Sequence, residues 1–155
     1  MLTDAKVAPF YFDDFAVGQT FRSGTLAVDS AAIKSFAAQF DPQPFHLDEV
    51  AAQATLFGGL AASGFHTAAL TMRLLVDGGA PIAGGIVGAG LDELRWPRPV
   101  RPGDILHTES EVLEVRASRS RPNEGLVKMR TTTLNQAGKP VQVMVANLLV
   151  PRRAS

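Results

Sequence analysis

Apolar and polar positions follow two different periods along this chain, and the change falls near residue 86. Between Ser30 and Phe40, the residues Ile33, Phe36, Ala37 and Phe40 recur at helical spacing, which predicts a helix with one buried face. Ser30 is its natural N-cap. Pro42 disfavours the α conformation in the residue before it, so this helix should stop at Asp41. Asp48 can cap a short helix over Glu49–Gln53, and Ser63 or Gly64 opens a longer one. Phe65, Leu70, Leu74 and Leu75 are the expected buried positions of the longer helix. Its segment 64–76 is small and apolar, with Arg73 as the only charged residue before Asp77. It suits burial better than the other two.

Phe21–Val28 reads as a first strand. From Ile86 onward, strand-like runs alternate with turn signals. The runs are Ile86–Trp96, Ile105–Val115, Leu126–Leu134 and Val141–Val150, separated by Pro97–Gly103, Arg119–Gly125 and Asn135–Gly138. One strand, then helices, then four strands with short connections predicts an α+β domain whose antiparallel sheet wraps one principal helix. No repeat or low-complexity linker divides the chain. Its 155 residues therefore read as a single domain spanning 1–155, large enough for a genuine core.

Composition narrows the function classes. Hydrophobic residues make up 46% and charged residues 19% of the chain, an ordinary globular balance. Lys+Arg and Asp+Glu both number 15, so no basic excess argues for nucleic acid or a membrane surface as partner. The absence of cysteine excludes a disulfide framework, a thiolate nucleophile and a cysteine-based metal site. Only His46, His66 and His107 could offer imidazole, without His-x-x-x-His spacing, so neither a metal nor another cofactor is expected. Met1–Lys6 lacks the apolar core of a signal peptide. No run approaches the ~20 apolar residues that a membrane helix needs. A cytoplasmic location is the expectation.

The candidate chemistry sits in Phe40-Asp41-Pro42-Gln43-Pro44-Phe45-His46. A carboxylate at Asp41 faces the negative end of the preceding helix dipole, which costs stability. A residue that breaks a local rule without structural benefit is a candidate for function. An imidazole and a carboxylate that both reach one water molecule form an acid–base pair. Pro42 and Pro44 lower the entropic cost of holding Asp41 and His46 in one geometry. The plainer alternative makes Asp41 a backbone cap and His46 a packed core residue. Gly64 permits two readings as well. A glycine opening a helix lets a ligand carbonyl approach free backbone N–H groups, and it also permits close packing. Ser63 reads as an N-cap, since no Gly-x-Ser-x-Gly surrounds it.

The glycines from Gly84 to Gly90 form neither a dinucleotide fingerprint nor a P-loop, and read as a loop followed by a close-packed strand. Two arginine groups, Arg95/Arg98/Arg101 around Trp96 and Arg116/Arg119/Arg121, could meet coenzyme phosphates, or form a solvated rim. His107 should alternate outward, and His66 should face a core or an interface.

On these residues the chain resembles the MaoC-like acyl dehydratases, relatives of the (R)-specific enoyl-CoA hydratases of hotdog fold. Their motif is Asp-x-Asn-Pro-x-His, usually followed by a His-Gly pair opening the central helix. Asp41, Pro44 and His46 match in type and spacing. Phe57–Phe65 resembles the segment entering the helix, and Arg95–Val100 with Pro102-Gly103-Asp104 resembles a later strand and turn. The chain departs at Gln43 (usually Asn), Phe40 (often Gly), Ser63 (usually His) and Met72 (a serine in some hydratases). The resemblance implies a hotdog fold and reversible addition of water to a 2-enoyl-CoA. It assigns water activation to Asp41 and His46, carbonyl polarisation to the Gly64 N–H, and substrate contacts to Ser63, Phe65 and Gln43. It also implies a homodimer or higher homo-oligomer, with acyl-CoA as substrate and no metal or redox cofactor. An acyl-CoA thioesterase and a non-catalytic acyl-thioester-binding subunit are the rival functions on the same fold.

Overall fold

A computed structural model describes residues 7–154. The Met1–Lys6 segment considered above for targeting lies outside them. A short 3₁₀ turn, Phe12–Asp14, precedes strands β1 (Thr20–Arg22) and β2 (Leu26–Ala27). Helices α1 (Ser30–Phe40), α2 (Pro44–Leu47), α3 (Glu49–Gln53) and α4 (Gly64–Gly78) follow. Strands β3 (Val87–Arg95), β4 (Ile105–Ala117), β5 (Glu124–Leu134) and β6 (Pro140–Pro151) complete the order. The sheet runs β1-β4-β5-β6-β3, with β2 also on β4, and every pairing between these strands is antiparallel.

The first strand is broken where the sequence suggests one run. Arg22 pairs with Glu109 and Leu26 with Leu106, so four steps on one strand span three on its neighbour. The extra residue is absorbed as a bulge would absorb it. The Ser23 hydroxyl takes a ladder position there, accepting from the Thr108 N–H at 2.8 Å.

The N-cap of α1 is Asp29, not Ser30. Asp29 is extended and its carboxylate accepts from the Ala32 N–H at 2.7 Å, which displaces Ser30 into the first turn. An aspartate in this position also lies at the positive end of the helix dipole. Asp48 does cap α3, accepting from the Val50 and Ala51 amides.

Helix α4 buries His66, Thr67, Thr71 and Leu74; Thr71 and Leu74 meet the sheet, while His66 stacks on Phe36 of α1. Leu70 and Leu75 are partly buried. Phe65 is not buried; it is 66% exposed. Two residues before Thr67 it projects roughly 200° around the helix from the packed face. The stripe it begins, continued by Met72 and Val76, is apolar yet exposed. Apolar side chains gather in two clusters, one with Val112, Val127 and Val150 and the other with Ile33, Leu106 and Val141.

Candidate active site

Asp41 ends α1. Its N–H donates to the Ala37 carbonyl at 2.9 Å, and its φ of −151° and ψ of 65° leave helical geometry. Pro42 enforces that departure, as it disfavours helix in the residue before it. Pro44 then opens α2, a single turn where a missing N–H costs nothing. That turn carries His46 back beneath Asp41. The two side chains meet at 3.2 Å between His46 Nε2 and Asp41 Oδ2.

The other ring nitrogen fixes the tautomer. His46 Nδ1 lies 2.6 Å from the Ala61 carbonyl oxygen, and a carbonyl can only accept, so Nδ1 carries the hydrogen. In the neutral ring Nε2 is then a bare acceptor facing an acceptor-only carboxylate. A proton placed in the 3.2 Å contact between them is one that either group can yield. The segment supplying Ala61 is itself anchored, by Ala61 N–H to the Phe45 carbonyl and Ala62 N–H to the Val100 carbonyl.

Asp41 is part-buried, and burial is the largest single effect on it, pushing its pKa up. The Ser63 hydroxyl, the Gln43 amide and His46 together outweigh burial, so the carboxyl lies below its ordinary value. Gln43 Nε2 donates to Asp41 Oδ1. Ser63 Oγ is wholly buried and has no partner in normal hydrogen-bond geometry, so it acts on Asp41 as a buried polar neighbour. A carboxyl depressed in the folded state stabilises the fold above its unfolded pKa, and that contribution is lost as pH falls through the folded value. The stability gap between the native chain and Asp41→Asn should thus be widest above about pH 5 and close below the ordinary carboxylate value of about 3.9. Urea midpoints of both proteins, measured from pH 6 to pH 3, check this.

His46 borders a cleft of about 310 Å³, whose walls include Phe57, Gly64, Thr67, Trp96 and Val100. The amides of residues 64–66 precede the first intrahelical bond of α4, from Thr67 N–H to the Ser63 carbonyl. Ser63 occupies the N-cap position, but its hydroxyl makes no capping bond. The cleft thus brings an imidazole to the donor end of a helix. Of the other anticipated substrate contacts, Ser63 lies behind the wall, Phe65 stands edge-on to Trp96 with ring centroids 5.6 Å apart, and Gln43 is exposed beside Asp41.

Arg101 is not available to a phosphate. Its guanidinium donates to the Gly59 and Leu60 carbonyls at 2.9 and 3.2 Å and to the Phe57 carbonyl, bracing the loop that delivers Ala61. Sequence reasoning also passed over Trp96 and Thr67 as cleft residues. The isolated tryptophan between arginines and prolines was the available signal. Nothing in a sequence marks the Ala61 carbonyl. Among the described residues no group of three or more His, Asp or Glu side chains is arranged to hold a metal.

The MaoC like domain profile matches residues 14–135. This chain belongs to that family. A MaoC-like dehydratase from Rhodospirillum rubrum superposes with a TM-score of 0.91 at 56% identity, covering 94% of this chain and 99% of that one. An (R)-hydratase of Pseudomonas aeruginosa superposes with a TM-score of 0.73 at 33% identity, covering 92% and 86%. The uncharacterized protein YdeM of Bacillus subtilis is 36% identical over 139 residues, 89% of this chain and 95% of its own length. The antiparallel sheet around α4 is the hotdog fold of these MaoC-like proteins. The family and its (R)-hydratase neighbour support a hydratase or dehydratase activity in general terms. Among the described residues no helix is long and apolar enough to cross a membrane.

Proposed function

We propose that this MaoC-like chain adds water reversibly to a 2-enoyl-CoA thioester, giving a (3R)-3-hydroxyacyl-CoA. The observation that carries the reading is the contact of Asp41 with a His46 whose tautomer is fixed, at the edge of a cleft that also holds the first turn of α4. In the hydration direction Asp41 and His46 hold one water molecule. Its oxygen bonds to C3 while its proton passes to the pair, the C2=C3 π electrons move toward the thioester carbonyl, and a proton is returned to C2. Charge collects on the carbonyl oxygen during this step, where the Gly64 N–H can donate to it, aided by the α4 dipole. Dehydration is the reverse. Crotonyl-CoA should lose its conjugated double bond in the presence of the protein without release of free thiol. Thiol release from a saturated acyl-CoA would instead indicate a thioesterase, and binding without turnover a non-catalytic binding or scaffold subunit.

The working form is proposed to be a cytoplasmic homodimer. Strand β3 pairs with β6 alone among the named strands, which leaves its second edge open. Leu91 on it is 52% exposed, and it shares an apolar cavity of about 110 Å³ with Met72 of the bare α4 stripe. An open edge strand beside exposed apolar side chains is a surface that a second copy can cover by symmetric pairing. Light scattering should give the mass of two chains, and Leu91→Lys should shift the mass to that of one.

A further inference from the structure

A polar chain runs through the interior behind the cleft, with no part in the proton transfer above. The Trp96 Nε1–H donates to Gln142 Oε1 at 2.9 Å, and Gln142 Nε2 donates to Thr71 Oγ1 at 3.1 Å. Thr71 Oγ1 and Thr133 Oγ1 are 2.6 Å apart. Gln142, Thr71 and Thr133 are fully buried. The indole N–H can only donate, so it dictates which end of the Gln142 amide faces it and which end faces Thr71. A buried network in which each polar atom has a hydrogen-bond partner holds its members in one arrangement.

The outer end of the network is a cleft wall. Trp96 borders both the His46 cleft and a second groove that reaches Pro140, and with Pro97 and Arg98 it forms the wall the two share. Its ring lies on Gly64: a Cβ there would meet indole carbons at 2.7–2.8 Å. Gly64 and Thr71 are seven residues apart on α4, hence on one face of it. Trp96 therefore touches the helix at its first residue and is tied, through Gln142, to the same face two turns later.

We propose that Gln142 is a positioning residue: it sets the angle of the Trp96 indole, and the indole sets the width of the channel that admits the thioester to Gly64 and His46. This rests on the function proposed above. A longer-range consequence is that substrate affinity depends on an amide on β6 that lines no part of the cleft.

Trp96 is the only tryptophan of the chain, so its emission reports the wall directly. Gln142→Met, which keeps the volume and removes the acceptor, should shift the emission maximum and raise KM for crotonyl-CoA about tenfold, with kcat changed less than about threefold. Trp96→Phe should raise KM similarly, and adding Gln142→Met to it should change KM by less than about twofold, since the partner is already gone. Unchanged KM and emission in Gln142→Met, or independent effects in the double variant, would overturn the proposal. Should Gln142→Met not fold, an unchanged KM in Trp96→Phe overturns it equally. Butyryl-CoA, which cannot be hydrated, separates this from the hydratase reading. If the native protein hydrates nothing, quenching of Trp96 by butyryl-CoA with an affinity about tenfold weaker in Gln142→Met still supports the positioning role, and no quenching overturns it.

Discussion

Asp41→Asn is expected to lower kcat for crotonyl-CoA hydration by about 10³-fold, within the range general acid–base groups supply, while KM changes little. Asparagine keeps the size of the side chain and can still meet Gln43. It loses the negative charge and the ability to take a proton from water. Asp41 sits where a negative charge opposes the α1 dipole, so no large structural gain is forfeited. The charge is nonetheless favoured locally, since Asp41 titrates below its ordinary value through Ser63, Gln43 and His46 against the opposing effect of burial. A modest loss of stability near neutral pH should therefore accompany the loss of activity. The two are separable by measuring kcat at saturating substrate on protein whose thermal transition has been checked. Hydration at the native rate would remove Asp41 from the chemistry.

Gly64→Ala carries the second large effect. At an unobstructed helix position alanine would stabilise relative to glycine by up to about 1 kcal/mol. Here its methyl would stand 2.7–2.8 Å from the Trp96 ring, far inside contact distance. Either the indole turns into the cleft or the first turn of α4 retreats, at a cost of about 1–3 kcal/mol for overpacking. Both movements displace the amide from the place where the carbonyl must come, and a misplacement of about 1 Å can cost 10²-fold in rate. The expected result is a kcat/KM about 10²-fold below native, with altered Trp96 emission and a melting temperature lowered by only a few degrees. Native kcat/KM in this variant would mean that neither the Gly64 amide nor its contact with the indole matters to turnover.

The elements that could be read in the chain were those with an uninterrupted local cause. The four C-terminal strands appear within a residue or two of their predicted limits because alternating side chains and turn residues act locally. The Pro42 effect on Asp41 is equally local, and α1 stops where it dictates. The first strand broke at Ser23 because its register is set by β4, some eighty residues away. Phe65 departs from its expected burial for a related reason: its apolar character marks a face to be covered, without saying whether the sheet or a second molecule covers it.

By itself the sequence determined the ingredients: a helix that must end at an aspartate, a proline-bounded turn returning a histidine, and a glycine at the head of an apolar helix. Each follows from steric rules acting over a few bonds. Only the tertiary structure decided that the Ala61 carbonyl fixes the proton on His46 Nδ1, that Arg101 is consumed in bracing the Phe57–Leu60 loop, and that Gln142 reaches Trp96. These contacts join residues 15 to 46 positions apart. Their partners are backbone carbonyls or a buried amide, groups whose orientation no local pattern records and only the packed sheet and helix impose.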